Sequence, residues 1–221
     1  MWNPNTELSE DCLYLNLWVP ANNLTRASPD SERLAVMVWI YGGGYLSGSS
    51  TLAIYDGRYL AAEMNVIVAS MQYRVGALGF YFLEIDEAPG NAGIWDQKLA
   101  LSWLHRNVGC FGGNAQRITL FGESAGASSV GLHLVAPWAK RYFSGAIMQS
   151  ASPFSPWVFT PKAALVNRSL ALAATCGCDF GGRQPLDVVA RCMRVIDADT
   201  IVRKQVEVCA RVHSNLNYSR K

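Results

Sequence analysis

Ser124 stands in Gly122-Glu123-Ser124-Ala125-Gly126, directly after the apolar run Arg117-Ile118-Thr119-Leu120-Phe121 and before the small residues Ala127-Ser128-Ser129. A β-rich run, a G-x-S-x-G turn and a helix opening on small residues spell a nucleophile elbow, which presents a serine hydroxyl at the tip of a sharp strand-to-helix turn. The chemistry open to such a hydroxyl is attack on a carbonyl carbon. The unpaired N–H groups of the helix that follows would stabilise the oxyanion formed there. Glycine at 122 and 126 lets two backbone segments approach and tolerates unusual dihedrals. A serine in a glycine-rich turn without chemistry is the plain alternative, and the flanking strand and helix set this one apart from it.

A second glycine stretch, Tyr41-Gly42-Gly43-Gly44, follows the continuous apolar run Leu34–Ile40. Three glycines at a strand end are costly in unfolded-chain entropy and suit a place where backbone must lie against a ligand. The stretch has the form of the HGGG-type loop that provides oxyanion donors, with Tyr41 where histidine is often found. An ordinary glycine loop is the alternative.

These two stretches need strands to carry them. Cys12–Val19, Leu34–Ile40, Val66–Ser70, Arg117–Phe121 and Ser144–Ser150 read as strands, and Leu34–Ile40 has the pattern of a parallel strand covered on both faces. A helix opens at Asn91, with Ile94, Leu99, Leu101, Trp103, Leu104 and Val108 as its apolar face. The elbow helix runs to Leu134-Val135 before Pro137, a later helix covers about Pro161 to Ala174, and the glycines of Tyr73–Phe80 mark a bend. Strands alternating with helices give an α/β fold with a mostly parallel sheet, whose chemistry sits at the carboxyl ends of the strands. Both glycine loops lie at such ends and can face one pocket.

The 221 residues, half of them hydrophobic, are enough to bury a substantial core in one globular domain. A net charge of +2 with scattered Lys and Arg offers no footprint for nucleic acid, so small-molecule chemistry is favoured. No stretch reaches the roughly 18 apolar residues of a membrane span. The six cysteines, Cys12, Cys110, Cys176, Cys178, Cys192 and Cys209, form no paired C-x-x-C metal pattern. Glycosylation sequons at Asn23, Asn167 and Asn217, together with the cysteines, lean towards a secreted or cell-surface protein.

Met1–Pro20, Met37–Leu52, Tyr73–Phe80 (YRVGALGF) and Thr119–Leu134 (TLFGESAGASSVGLHL) closely resemble the type B carboxylesterases, and within them the cholinesterases. The likeness runs from Met1 to about Cys192. It implies an α/β-hydrolase fold, of which residues 1–202 are the N-terminal part, with 203–221 an unmatched tail. It implies Ser124 as the acylated nucleophile and the N–H groups of Gly43, Gly44 and Ala125 as the oxyanion hole.

The same likeness implies a choline ester as substrate, acetylcholine being split to choline and acetate with no metal or cofactor. Trp2 falls where the family places the indole that holds the choline cation, with Tyr55 and Glu123 as companions. Trp157 resembles a wall that limits the acyl group to acetyl size. By residue type alone, Trp2 reads as an exposed or capping aromatic, Trp157 as core and Glu123 as a solvated turn residue. Cys178 and Cys192 match a disulfide loop of the family, and the partner of Cys12 lies upstream of Met1. Leu46 replaces a tyrosine of the outer cation site found in vertebrate members.

In this fold the activating residues follow the serine in the order acid, then histidine. In the family both lie beyond residue 221, and His105, His133 and His213 are poor substitutes. The chain therefore reads as a piece of a longer enzyme, with little or no turnover by itself. Homo-oligomers of the parent remain open. So do two other readings: a general carboxylesterase of the same fold, and a non-catalytic adhesion or binding protein.

Overall fold

The computed structural model describes residues 4–21, 33–178, 180–182 and 184–218. Its elements in chain order are β1 (Leu15–Trp18), β2 (Leu34–Ile40), α1 (Arg58–Met64), β3 (Ile67–Met71), α2 (Gly76–Phe80), β4 (Phe82–Ile85), β5 (Ala88–Pro89), α3 (Ala92–Asn107), β6 (Gly113–Glu123), α4 (Ala125–Val135), β7 (Gly145–Gln149), α5 (Lys162–Thr175), α6 (Leu186–Arg194) and α7 (Ala198–Tyr218). They divide between two compact units, one of Met1–Tyr73 with Ile94–Phe159, the other of Arg74–Gly93 with Thr160–Lys221.

The first unit holds a five-stranded sheet in the order β1-β3-β2-β6-β7. Only β1 is antiparallel, to β3; the other neighbours are parallel, so the mostly parallel sheet expected from the alternation of elements is what forms. β3 is buried at every position. β2 is not: Val36, Val38 and Ile40 are wholly buried, while the alternate residues Ala35, Met37 and Trp39 are half-buried. A continuous apolar spelling thus covers two unequal faces.

The apolar face expected of α3 also divides. Leu101 and Leu104 are fully buried, as is Val108 in the short 3₁₀ turn that follows, whereas Leu99 is 62% exposed and Trp103 36%. At about 100° per residue, 101, 104 and 108 share one stripe while 99 and 103 share another. The sequence has two apolar stripes there, and among the described residues only one is fully covered.

The second unit packs Leu83, Ala88, Leu172, Ala173, Val189, Ala190, Met193 and Ile201 into its own core. Cys178, fully buried in that core, forms a disulfide with Cys192 packed against it, 14 residues apart in sequence. Tyr73–Phe80 contains the short helix α2 rather than a simple bend. Its Ala77 N–H donates to Gln205 Oε1 of α7, and Gly76 has a positive φ where a Cβ would run against that glutamine. α7 begins before residue 202 and continues through it without a break.

Candidate active site

The elbow is built by close approach. β6 runs to Glu123, α4 starts at Ala125, and Ser124 between them has φ 55° and ψ −121°. Such a conformation in a residue with a Cβ is strained, and it persists only where the surroundings impose it. Here Ser124 N–H donates to the Gln149 carbonyl at 2.9 Å, and the Ser124 carbonyl accepts Ser128 N–H at 3.0 Å as the first bond of α4. The N–H of Ala125, in that first turn, has no carbonyl within the helix to receive it.

Both glycines of the motif are required sterically. A Cβ on Gly126 would collide with the Ile40 carbonyl oxygen of β2, and one on Gly122 would lie 2.6–2.7 Å from the Gly126 carbonyl and the Ile40 oxygen.

The glycine loop lies directly against this turn. β2 and β6 pair in parallel up to Ile40 and Gly122, so the residues that follow each strand leave the sheet side by side. A Cβ on Gly42 would sit 2.6 Å from the Glu123 carbonyl oxygen and 3.1 Å from Ser124 Cβ. Gly43, Gly44 and Tyr45 all have positive φ, at 119°, 65° and 59°. The Gly43 carbonyl turns inward to accept Leu46 N–H at 3.0 Å and Ser47 N–H at 3.1 Å. Gly44 is exposed and has open space where a Cβ would point.

The other residues singled out in the sequence fall unevenly around this centre. Glu123 is half-buried, with Oε2 facing Gly42. Tyr55 is half-buried, its ring centroid 5.1 Å from that of Trp39, which in turn lies 4.9 Å from Phe121. Burial, and then the Glu123 charge, push the Tyr55 hydroxyl pKa up. Trp39 Nε1 is buried without a hydrogen-bond partner among the described residues. Trp157 is 49% exposed, 6.4 Å between centroids from Tyr45. Trp2 lies outside the described residues.

No motif in the sequence announces the buried polar relay beside the elbow. Tyr45 Oη and Ser129 Oγ are 3.0 Å apart, Gln97 Nε2 donates to Ser129 Oγ at 3.1 Å, and Gln97 Oε1 meets His133 Nε2 at 2.8 Å. Ser129, Gln97 and His133 are completely buried. Burial holds the His133 imidazole pKa down at about 4 and the Tyr45 hydroxyl up at about 12. His133 is therefore neutral and committed to Gln97, in keeping with its dismissal as a base. His105 stacks edge-on against Tyr142, and the side chain of His213 lies outside the described residues.

Asn23 lies outside the described residues, as does Ser219 of the third sequon. Asn167 is exposed on α5, while its sequon partner Ser169 is buried and accepts Phe82 N–H at 3.1 Å. No described helix is long and apolar enough to cross a membrane.

The sequence profile described as the carboxylesterase family matches residues 1–219. The chain is 49% identical over 203 residues to acetylcholinesterase 1 of Caenorhabditis elegans, covering 91% of this chain and 32% of that protein. It is 48% identical over 206 residues to the cholinesterase of Mus musculus (93% and 32%), and 51% over 182 residues to the acetylcholinesterase of Danio rerio (82% and 28%). The chain thus spans about a third of the length of these relatives.

Proposed function

The chain belongs to the carboxylesterase family, and on that premise we propose that it carries the nucleophile and oxyanion donors of a serine ester hydrolase that splits acetylcholine. The observation that carries this reading is the contact between the two glycine turns. Gly42 lies against Ser124, which holds a strained conformation at the mouth of α4. A hydroxyl placed there has N–H groups of the loop on one side and of the helix on the other.

Ser124 Oγ attacks the ester carbonyl, and its proton passes to a histidine held by an acidic residue, both contributed by the remainder of the intact protein. The negative oxygen of the tetrahedral intermediate rests on the N–H groups of Gly43, Gly44 and Ala125. The intermediate collapses with the proton returned to choline as it leaves. Water then repeats the sequence on the acetyl-serine and releases acetate. Serine acyl transfer of this kind calls for no cofactor.

Selectivity for a quaternary ammonium is assigned to Trp2, Tyr55 and Glu123, because an aromatic face attracts a diffuse cation without demanding hydrogen bonds. Trp157 closes the acyl side. The names of the relatives support the choline ester, and the Cys178–Cys192 disulfide agrees with a secreted or cell-surface protein.

The test is to treat the intact protein with a fluorophosphonate and map the adduct by mass spectrometry. Label on the Ser124 peptide, lost in Ser124→Ala and slowed by a choline ester, is expected. An unlabelled serine in a folded protein would favour the non-catalytic binding reading, and equal turnover of neutral and cationic esters the general carboxylesterase.

A further inference from the structure

Three consecutive residues, Gly43, Gly44 and Tyr45, hold positive φ, and the third is not glycine. A left-handed conformation costs a residue with a Cβ about 1–2 kcal/mol, so tertiary contacts must keep Tyr45 in place. Its ring lies near Trp157, and its hydroxyl reaches Ser129 on α4, five residues beyond Ser124. Ser129 and His133 are one helical turn apart on the same face, and Gln97 of α3 bridges them with its two amide atoms. All three are completely buried. The bonds run from Tyr45 Oη to His133 Nε2 through buried atoms, and His133 Nδ1 is the one relay atom left without a partner among the described residues. Such a chain is stiff, because a further departure strands more buried polar groups.

We infer that Tyr45 is a positioning residue for the oxyanion donors: its hydroxyl ties the glycine loop through Ser129, Gln97 and His133 to the helix that presents Ala125. The inference rests on the acyl-transfer reading above. Two of the proposed donors belong to the loop and one to the helix, so their spacing depends on how firmly loop and helix are joined. The backbone of the loop supplies a turn closed on the Gly43 carbonyl. The Tyr45 hydroxyl supplies an anchor from that turn to α4.

Tyr45→Phe keeps the ring and removes only the anchor; Ser129→Ala removes it from the other end. In the intact protein, kcat and KM for acetylthiocholine are measured per titrated active serine, and backbone amide exchange is followed over Gly43–Ser47. A positioning role predicts that kcat falls about fivefold in Tyr45→Phe with KM little changed, and that loop exchange rises about fivefold, as expected for one net hydrogen bond. The double variant is no worse than the poorer single one, because both substitutions cut the same tie.

A variant that merely melts earlier, with full kcat per titrated serine, would overturn the inference. Unchanged loop exchange in Tyr45→Phe would overturn it whether or not the parent is active. Failure of the parent itself to hydrolyse any ester would instead sink the acyl-transfer reading.

Discussion

Tyr41 and Tyr73 clasp one another: the Tyr41 hydroxyl donates to the Tyr73 carbonyl at 2.9 Å and the Tyr73 hydroxyl to the Tyr41 carbonyl at 2.6 Å, across rings stacked 4.4 Å apart. Both are almost fully buried. Tyr41 is the residue through which β2 enters the glycine loop, so the clasp fixes the peptide that leads into Gly42. Losing either hydroxyl strands a buried carbonyl. Tyr41→Phe and Tyr73→Phe are each expected to lower unfolding stability by about 1–3 kcal/mol, read from urea midpoints. Midpoints unchanged in both variants would show that the clasp bears no load.

Alanine at two glycines should have unequal consequences. At Gly126 a methyl would strike the Ile40 backbone, which cannot give way without separating β2 from the elbow. A loss of about 3 kcal/mol or more, or no folded protein, is expected. At Gly44 the space is open and only the positive φ is offended, which costs about 1 kcal/mol. Circular dichroism melts of the two variants give the comparison, and equal losses would contradict the packing described.

His133 makes stability depend on pH. Burial depresses its folded-state pKa to about 4 from the ordinary 6.5, so the unfolded chain takes up this proton first. Its contribution is full above about pH 6.5, declines as the pH falls towards 4, and levels off below. The total is on the order of 3 kcal/mol. Urea unfolding across this window should show a slope in the parent that is absent in His133→Gln. Parallel profiles would mean that the imidazole is not buried as described.

The Cys178–Cys192 bridge closes a short loop, with Cys178 buried in the core of the second unit. The chain-entropy account gives about 3 kcal/mol for a loop of this size. Cys192→Ser should lower the unfolding midpoint accordingly, by itself leaving the Ser124 turn intact. Fluorophosphonate labelling lost in the folded variant would contradict that separation.

Much of the site is legible in the sequence because geometry leaves few spellings for it. Only glycine fits at 122 and 126, where β2, β6 and α4 converge, and only a residue in a strained turn can stand at Ser124. Strand runs such as Leu34–Ile40 declare themselves by apolar length. What stays hidden depends on register. Whether the Tyr41 hydroxyl meets the Tyr73 carbonyl is decided by β2 and β3 pairing Val36 with Ile67, which periodicity does not encode. The Tyr45 relay joins residues up to 84 positions apart through single polar atoms. The two stripes of α3 look equally apolar, and only packing selects Leu101 and Leu104 over Leu99 and Trp103.

The most direct measurement is acetylthiocholine hydrolysis by the intact protein beside its Ser124→Ala variant, with folding of both verified. Turnover in the parent and a loss of at least about a thousandfold in the variant are predicted for a nucleophile on which the acyl group is carried. Comparable turnover in the two proteins would contradict the assignment of Ser124.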